Sequence, residues 1–302
     1  MTEREMDRRR VLALGGAVLG AAGLGLTGCS GSSEKETSSA PAPAASASAS
    51  PSPSGSGRCV LSANVTEGPY YLDGQLFRKD ITEGKDGVPL TVRLTVQDTT
   101  ASCAPVKGAA VEIWHCDAWG YYSGFTTANP GGSAPAESED AGDANDKTYL
   151  RGYQLTGDDG AVEITTIYPG WYTPRATHIH VKVHTGGAKK GDTYEGGKAN
   201  FTGQLFFDDK YGDEVYKQEP YSQHTGTATA LDEDMVYGGG GAREGLTTVT
   251  GSVAQGYTAT LTLGVDPDSE NSGAGQGRPS GGTGEPPSGP PSGPPPSGTP
   301  GA

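Results

Sequence analysis

Pro169-Gly170-Trp171-Tyr172-Thr173-Pro174-Arg175-Ala176-Thr177-His178-Ile179-His180 is the stretch whose reading decides the fold. Ile179, Val181 and Val183 alternate with the histidines, which predicts a half-buried β-strand. On a strand, residues i and i+2 share a face and lie roughly 7 Å apart along it. His178 and His180 therefore point the same way, and two imidazoles on one face can converge on one transition-metal ion. His184 has the right parity, but its Cα falls about 13 Å beyond His180, too far to join them. A metal here needs further ligands from other segments. The plainer alternatives are a surface or hydrogen-bonded histidine pair, and a Tyr172 that merely packs in the corner of a sandwich module.

Working outward, further strands are predicted at Leu90–Gln97, Ala110–His115, Tyr149–Leu155, Val162–Ile167, Gln204–Phe207 and Thr258–Leu263, with His178–His184 as the strand already read. Gly, Asp, Asn and Pro turns separate them, and no helical period of useful length appears. The fold class is all-β: an antiparallel β-sandwich or partly closed barrel with long loops over residues 59–265. Gly124–Asp146 is poor in apolar residues and reads as a long loop, a candidate lid. Leu90–Gln97 and Ala110–His115 are expected to be neighbours.

A second segment bears on the histidines. Ala110-Val111-Glu112-Ile113-Trp114-His115-Cys116-Asp117-Ala118-Trp119-Gly120-Tyr121-Tyr122-Ser123 runs from a strand into a turn that ends in tyrosines. Gly120-Tyr121-Tyr122-Ser123, Pro169-Gly170-Trp171-Tyr172 and Arg175-Ala176-Thr177-His178-Ile179-His180, in that order, resemble the intradiol ring-cleavage dioxygenases, the family of catechol and protocatechuate dioxygenases. Thr66-Glu67-Gly68-Pro69-Tyr70-Tyr71 and Arg151-Gly152-Tyr153-Gln154-Leu155-Thr156 also fit, so the resemblance spans about residues 59–210.

The resemblance implies an Fe(III) ion held by Tyr122, Tyr172, His178 and His180. Phenolate is a hard, anionic ligand suited to a trivalent ion. Free tyrosine has a pKa near 10, so only a strongly charged ion holds two of them ionised at neutral pH. The family spacing selects Tyr122 over its neighbour Tyr121. It further implies that catechol-type substrates chelate the iron, that Tyr172 leaves and takes up a substrate proton, and that both atoms of O₂ enter a cis,cis-muconate-type diacid. Arg175 takes the place of the family's guanidinium, where it stabilises negative charge on the ring; the alternative is a plain salt bridge. Tyr70 and Tyr71 are expected at the pocket mouth or in the core, and Trp114 in the core. His115 is expected as a hydrogen-bonded structural histidine and His224 at the surface. The helical dimerisation domain of catechol dioxygenases is missing from the sequence, which puts that mode of dimerisation in doubt and leaves the oligomeric state open.

The ends are poor material for a core. Residues 1–28 read as a secretion signal, with a twin-arginine run at Asp7-Arg8-Arg9-Arg10 and an Ala/Gly/Leu-rich segment too short and glycine-rich for a transmembrane helix. Leu26-Thr27-Gly28-Cys29 resembles a lipoprotein cleavage box, with Cys29 as the lipidated residue. The expected localisation is therefore extracellular, on the outer face of the cell membrane, with the lipid as the sole membrane attachment. Residues 29–58 read as a disordered Ser/Ala/Pro tether, and 266–302 as a disordered Gly/Pro/Ser tail. Net charge is −14. That balance argues against nucleic acid and anionic lipid as partners and leaves neutral or singly charged phenols open. Cys59, Cys103 and Cys116 give one bridge at most. Cys103 and Cys116 would sit at opposite ends of a strand about 20 Å long, so Cys59 is one partner, with Cys103 preferred. Two other classes stay open, a non-catalytic ligand-binding or adhesion lipoprotein and a cupin-type metalloenzyme. Against the cupin, His184 and Thr185 stand where a Glu usually follows the second histidine.

Overall fold

The computed structural model describes residues 59–73, 76–125, 148–238 and 242–273. The strands are β1 (Pro89–Asp98), β2 (Ala104–Pro105), β3 (Ala110–Trp114), β4 (Arg151–Leu155), β5 (Ala161–Ile167), β6 (His178–Lys190), β7 (Thr193–Phe206), β8 (Thr248–Ser252) and β9 (Gly256–Val265). One sheet has the order β2-β1-β9-β8, with β5 also paired to β1; the other has the order β4-β3-β6-β7. Val92, Leu94, Val96, Ala259 and Leu263 of the first sheet meet Val111, Ile113, Ile179, Val181, Val183 and Leu205 of the second in one apolar core. Two sheets facing across a shared core make a β-sandwich.

The alternation within β6 decides where chemistry can sit. Ile179, Val181 and Val183 fill the core, so His178, His180, Lys182 and His184 lie on the opposite face. That face is covered too. His178, His180 and Lys182 are buried, with Gly68 against the His180 ring and Glu67 against Lys182. Across the second sheet, one register row reads Arg151, Trp114, His180 and Gln204.

Three expectations change. The first sheet is not wholly antiparallel, because β1 and β9 run parallel from Leu90↔Tyr257 to Asp98↔Val265. Leu90–Gln97 and Ala110–His115 are not neighbours: β1 and β3 lie in different sheets. Apolar alternation marks the buried face of a strand but not the strand that pairs with its edge. The tail also begins later than residue 266. The Asn271 N–H donates to Ala199 O at 2.7 Å, and Asn200 Nδ2 donates to Pro267 O and Ser269 O, both at 2.8 Å. The buried Asn200 amide and the Ala199 carbonyl thus tie residues 267–271 to β7.

Outside the sheets lie a short helix, α1 (Asp209–Val215), capped by Asp208 accepting from the Lys210 N–H, and three single-turn 3-10 segments. Cys59 and Cys103 form a disulfide with Cα atoms 5.6 Å apart, and Cys116 is free and buried. The signal, Cys29, the tether, the tail beyond 273 and all of the candidate lid except Gly124 and Phe125 lie outside the described residues. Among the described residues, no helix is long and apolar enough to cross a membrane.

Candidate metal centre

Two turns and one strand bring the tyrosines and histidines together. The turn after β3 is built on Asp117, whose Oδ1 accepts the N–H groups of Trp119 (2.9 Å) and Tyr121 (3.0 Å). Its far end is held by Ser123, whose hydroxyl donates to Tyr149 O at 2.7 Å. Arg151 grips the same serine, with Nε on Oγ (2.9 Å) and Nη2 on the carbonyl (2.8 Å). Tyr122 is clamped between these anchors and fully buried. Tyr172 lies in the corner after β5, where the Arg175 N–H donates to Tyr172 O at 2.9 Å. Gly170 is required there, because a Cβ would stand 2.4 Å from Asp117 O.

The functional atoms converge. Tyr122 Oη lies 3.3 Å from Tyr172 Oη and 3.5 Å from His178 Nε2. Tyr172 Oη lies 3.2 Å from His178 Nε2, which lies 3.2 Å from His180 Nε2. His178 Nδ1 donates to Ala176 O at 2.6 Å, so its Nε2 carries the lone pair and faces the cluster. His180 is oriented by packing: its ring stacks on Trp114 at 4.8 Å and 8°, with Gly68 against its edge. Its buried Nδ1 has no hydrogen-bond partner.

Burial sets the protonation states. Desolvation, then the Arg175 charge, pushes the His178 imidazole down to about 3, and His180 also falls well below its ordinary value. Desolvation pushes both phenols up. Alone, the cluster is neutral: two imidazoles in their ligand form and two phenols that only a strongly charged cation would ionise. One lone pair, on His178 Nε2, faces three other donor groups at once. Two hard oxygens and two imidazole nitrogens aimed at one point fit a ferric ion. Among the described residues, no group of three or more His, Cys, Asp or Glu side chains could hold a metal, so this set depends on its phenols.

Arg175 aims Nη1 at His178 Nε2 from 3.4 Å. Its Nε donates to Asp234 Oδ2 at 2.8 Å, and Nη2 to Gln204 Oε1 and Asp234 Oδ1. The ion pair exists, but with a buried carboxylate that steers the guanidinium instead of a surface acid. Burial raises the Asp234 carboxyl, yet the hydrogen bond and charge of Arg175 and the N–H groups of Tyr237 and Ala176 hold it below the usual range. Sequence reading missed Asp234 and Gln204. Gln204 shares a strand row with His180, but Asp234 sits in an irregular segment with no motif around it.

Tyr70 stacks on Tyr122 at 4.7 Å and 14°, so it reaches the site. Tyr71 does not meet the donors. It packs on Trp114, lies under Lys182 Nζ at 3.6 Å and reaches Glu112 with its hydroxyl. Trp114 is buried, as a plate against His180 and not in the sandwich core. His115 is a hydrogen-bonded buried histidine, on Cys116 O and Thr166 Oγ1, both at 2.7 Å. His184 pairs with Glu112 at 3.0 Å, away from the cluster. His224 is half-buried, with its ring 3.9 Å from that of Trp171.

A protein-family model described as "Dioxygenase" matches residues 66–211. Catechol 1,2-dioxygenase 1 of Acinetobacter lwoffii is 31% identical over 147 residues, 41% of this chain and 42% of that protein. Chlorocatechol 1,2-dioxygenase of Pseudomonas putida is 27% identical over 161 residues, 45% and 55% of the two chains. The matches thus span about half the length of these curated relatives. A solved intradiol ring-cleavage dioxygenase from Tetranychus urticae superposes with a TM-score of 0.60 at 29% identity, covering 71% of this chain and 98% of that one.

Proposed function

Because the chain belongs to the intradiol ring-cleavage dioxygenase family, we propose that it is a non-haem Fe(III) enzyme that inserts both atoms of O₂ into catechol-type aromatics. The products are diacids of the cis,cis-muconate type. The observation that carries this reading is that Tyr122 Oη, Tyr172 Oη and His180 Nε2 all lie within 3.5 Å of His178 Nε2. Those four side chains would hold the iron, which when bound supplies Lewis acidity toward the catechol oxygens and makes the ring reactive toward O₂.

The protein's own groups divide the rest of the work. Tyr122, fully buried and clamped at both ends, serves as the permanent ligand. Tyr172 sits in a corner beside Arg175, and as the phenolate that a bound ferric ion would make of it, its oxygen could accept a proton from a catechol hydroxyl. Arg175, held by Asp234 and Gln204, presents a fixed positive charge that stabilises negative charge on the bound ring without proton transfer. Tyr70, on the outer side of Tyr122, serves as an aromatic wall for the substrate ring.

We also infer that the enzyme works outside the cell, exported by the twin-arginine run and tethered through a lipid on Cys29. Twin-arginine export suits this site because that route carries folded proteins, so iron can be loaded first.

Iron content and oxygen uptake on catechol test the reading. Tyr122→Phe and His180→Ala should abolish iron binding or turnover, whereas Tyr121→Phe should be mild, since Tyr121 packs in the main core. Full activity in Tyr122→Phe contradicts the ligand set.

A further inference from the structure

Asp117 lies five residues before Tyr122 and is 2% exposed. Its bonds reach both tyrosine-bearing turns. Besides the two N–H groups that Oδ1 accepts, the Asp117 N–H donates to Tyr121 O at 2.8 Å, and Asp117 O accepts from Gly120 (3.1 Å) and from Gly170 (3.0 Å). The Gly170 bond crosses to the corner that carries Tyr172. Two glycines let the turns touch backbone to backbone: a Cβ on Gly170 would meet Asp117 O at 2.4 Å, and one on Gly120 would meet Trp171 O at 2.4 Å. Behind the carboxylate, Oδ2 pairs with Lys85 Nζ at 3.1 Å, and this side chain, 9% exposed, also lies 4.2 Å from the Tyr149 ring centre. The pair borders a cavity of about 220 Å³ that is lined also by Asp86, Trp119 and Pro220. A buried ion pair is weak evidence for stability, since desolvation offsets much of the attraction. The hydrogen bonds of Oδ1 to the turn are the part with a positional consequence.

We propose that Asp117 is a positioning residue for the metal centre: its Oδ1, accepting from Trp119 and Tyr121, holds the Tyr122 turn in the shape in which the Asp117 main-chain carbonyl meets the Gly170 N–H of the Tyr172 corner, and thereby sets the two phenol oxygens at ligand spacing. Lys85 balances the buried charge and takes no part in the positioning. The inference rests on the proposed metal centre, but its structural half holds for the metal-free protein as well.

The test compares two double variants in the full chain. Asp117→Asn/Lys85→Met removes both charges and keeps an amide oxygen where Oδ1 stands; Asp117→Ala/Lys85→Met removes the acceptor too. Readouts are amide hydrogen exchange at Trp119, Tyr121 and Gly170 without metal, then bound iron, the visible tyrosinate-to-iron band, kcat and KM on catechol. The Asn variant should match wild type in all of them. The Ala variant should lose protection at Trp119 and Tyr121, shift or weaken the band and lose about 10²-fold in kcat with little change in KM, the cost of a small misplacement of reacting groups. An Ala variant that folds with wild-type protection, band and kcat overturns the proposal. If that variant does not fold, Asp117→Ser/Lys85→Met, whose shorter hydroxyl is a poorer acceptor, decides: reduced protection at Trp119 and Tyr121 with a shifted band supports the acceptor role, and wild-type values of both overturn it. Wild-type protein that takes up no iron would instead defeat the metal-centre reading, leaving the exchange data to judge the role of Asp117 Oδ1 in the turn.

Discussion

At the scale of single residues, Arg175 separates charge stabilisation from metal binding. Arg175→Ala should keep the iron and its colour yet lose about 10² to 10³ in turnover, the usual cost of removing one preorganised charge-stabilising donor. Lysine should rescue only in part, because an ammonium lacks the planar fork that Asp234 and Gln204 hold. Steady-state oxygen uptake by the iron-replete variant decides it, and a wild-type rate would reduce Arg175 to an ordinary structural cation. His115 makes a pH prediction. Burial holds it down to about 4 from an ordinary 6.5, so it is neutral in the fold, and between those values the unfolded chain binds more protons. Stability from this group is therefore complete above about pH 6.5 and falls toward pH 4, by at most about 1.4 kcal/mol per pH unit. His178 and His180 share the sign. Thermal melts of metal-free protein should show this slope, shallower in His115→Gln; an identical slope in the variant contradicts the assignment. The convergence of Tyr122, Tyr172, His178, His180 and Arg175 was legible because they fall in three short motifs of fixed spacing. Asp234 was not, since it reaches Arg175 from 59 residues away through tertiary packing alone.

At the scale of elements, β6 shows how far alternation carries. The parity of Ile179, Val181 and Val183 puts the histidines on the face away from the core, as the sequence implies. It does not reveal that β6 and β7 continue as a long hairpin to Lys190 and Thr193, because Gly186, Gly187, Gly196 and Gly197 erase the apolar pattern there. Nor does it give the parallel β1–β9 pairing, whose partners stand more than 150 residues apart. The segment leading to β1 has its own effect on the site. Gly68 adopts φ +75°, and a Cβ there would stand 3.1 Å from His180 Cε1. Gly68→Ala should cost about 1–3 kcal/mol of stability and weaken iron retention by pressing on His180. Melting temperature and iron loss to a chelator measure both; unchanged values would mean that this segment does not brace the ring.

At the scale of the whole molecule, the chain divides into a β-sandwich with a polar cluster on the outer face of one sheet and two ends of low-complexity composition. The net charge of the full chain, −14, argues against electrostatic attraction to anionic membranes. On the proposed localisation, membrane association would rest on lipid at Cys29, at roughly 0.8 kcal/mol per buried CH₂. Cys29→Ala should move the protein to the aqueous phase in detergent partitioning, and equal partitioning of variant and wild type would rule out the lipid anchor. Two phenols and two imidazoles are proposed to form a single ferric site. Titrating metal-free protein with ferric iron, while recording visible absorption, tests it most directly. A tyrosinate-to-iron band should saturate at one iron per chain in wild type and be absent when Tyr122 and Tyr172 are both changed to Phe. No band in wild type, or the same band in the double variant, would contradict it.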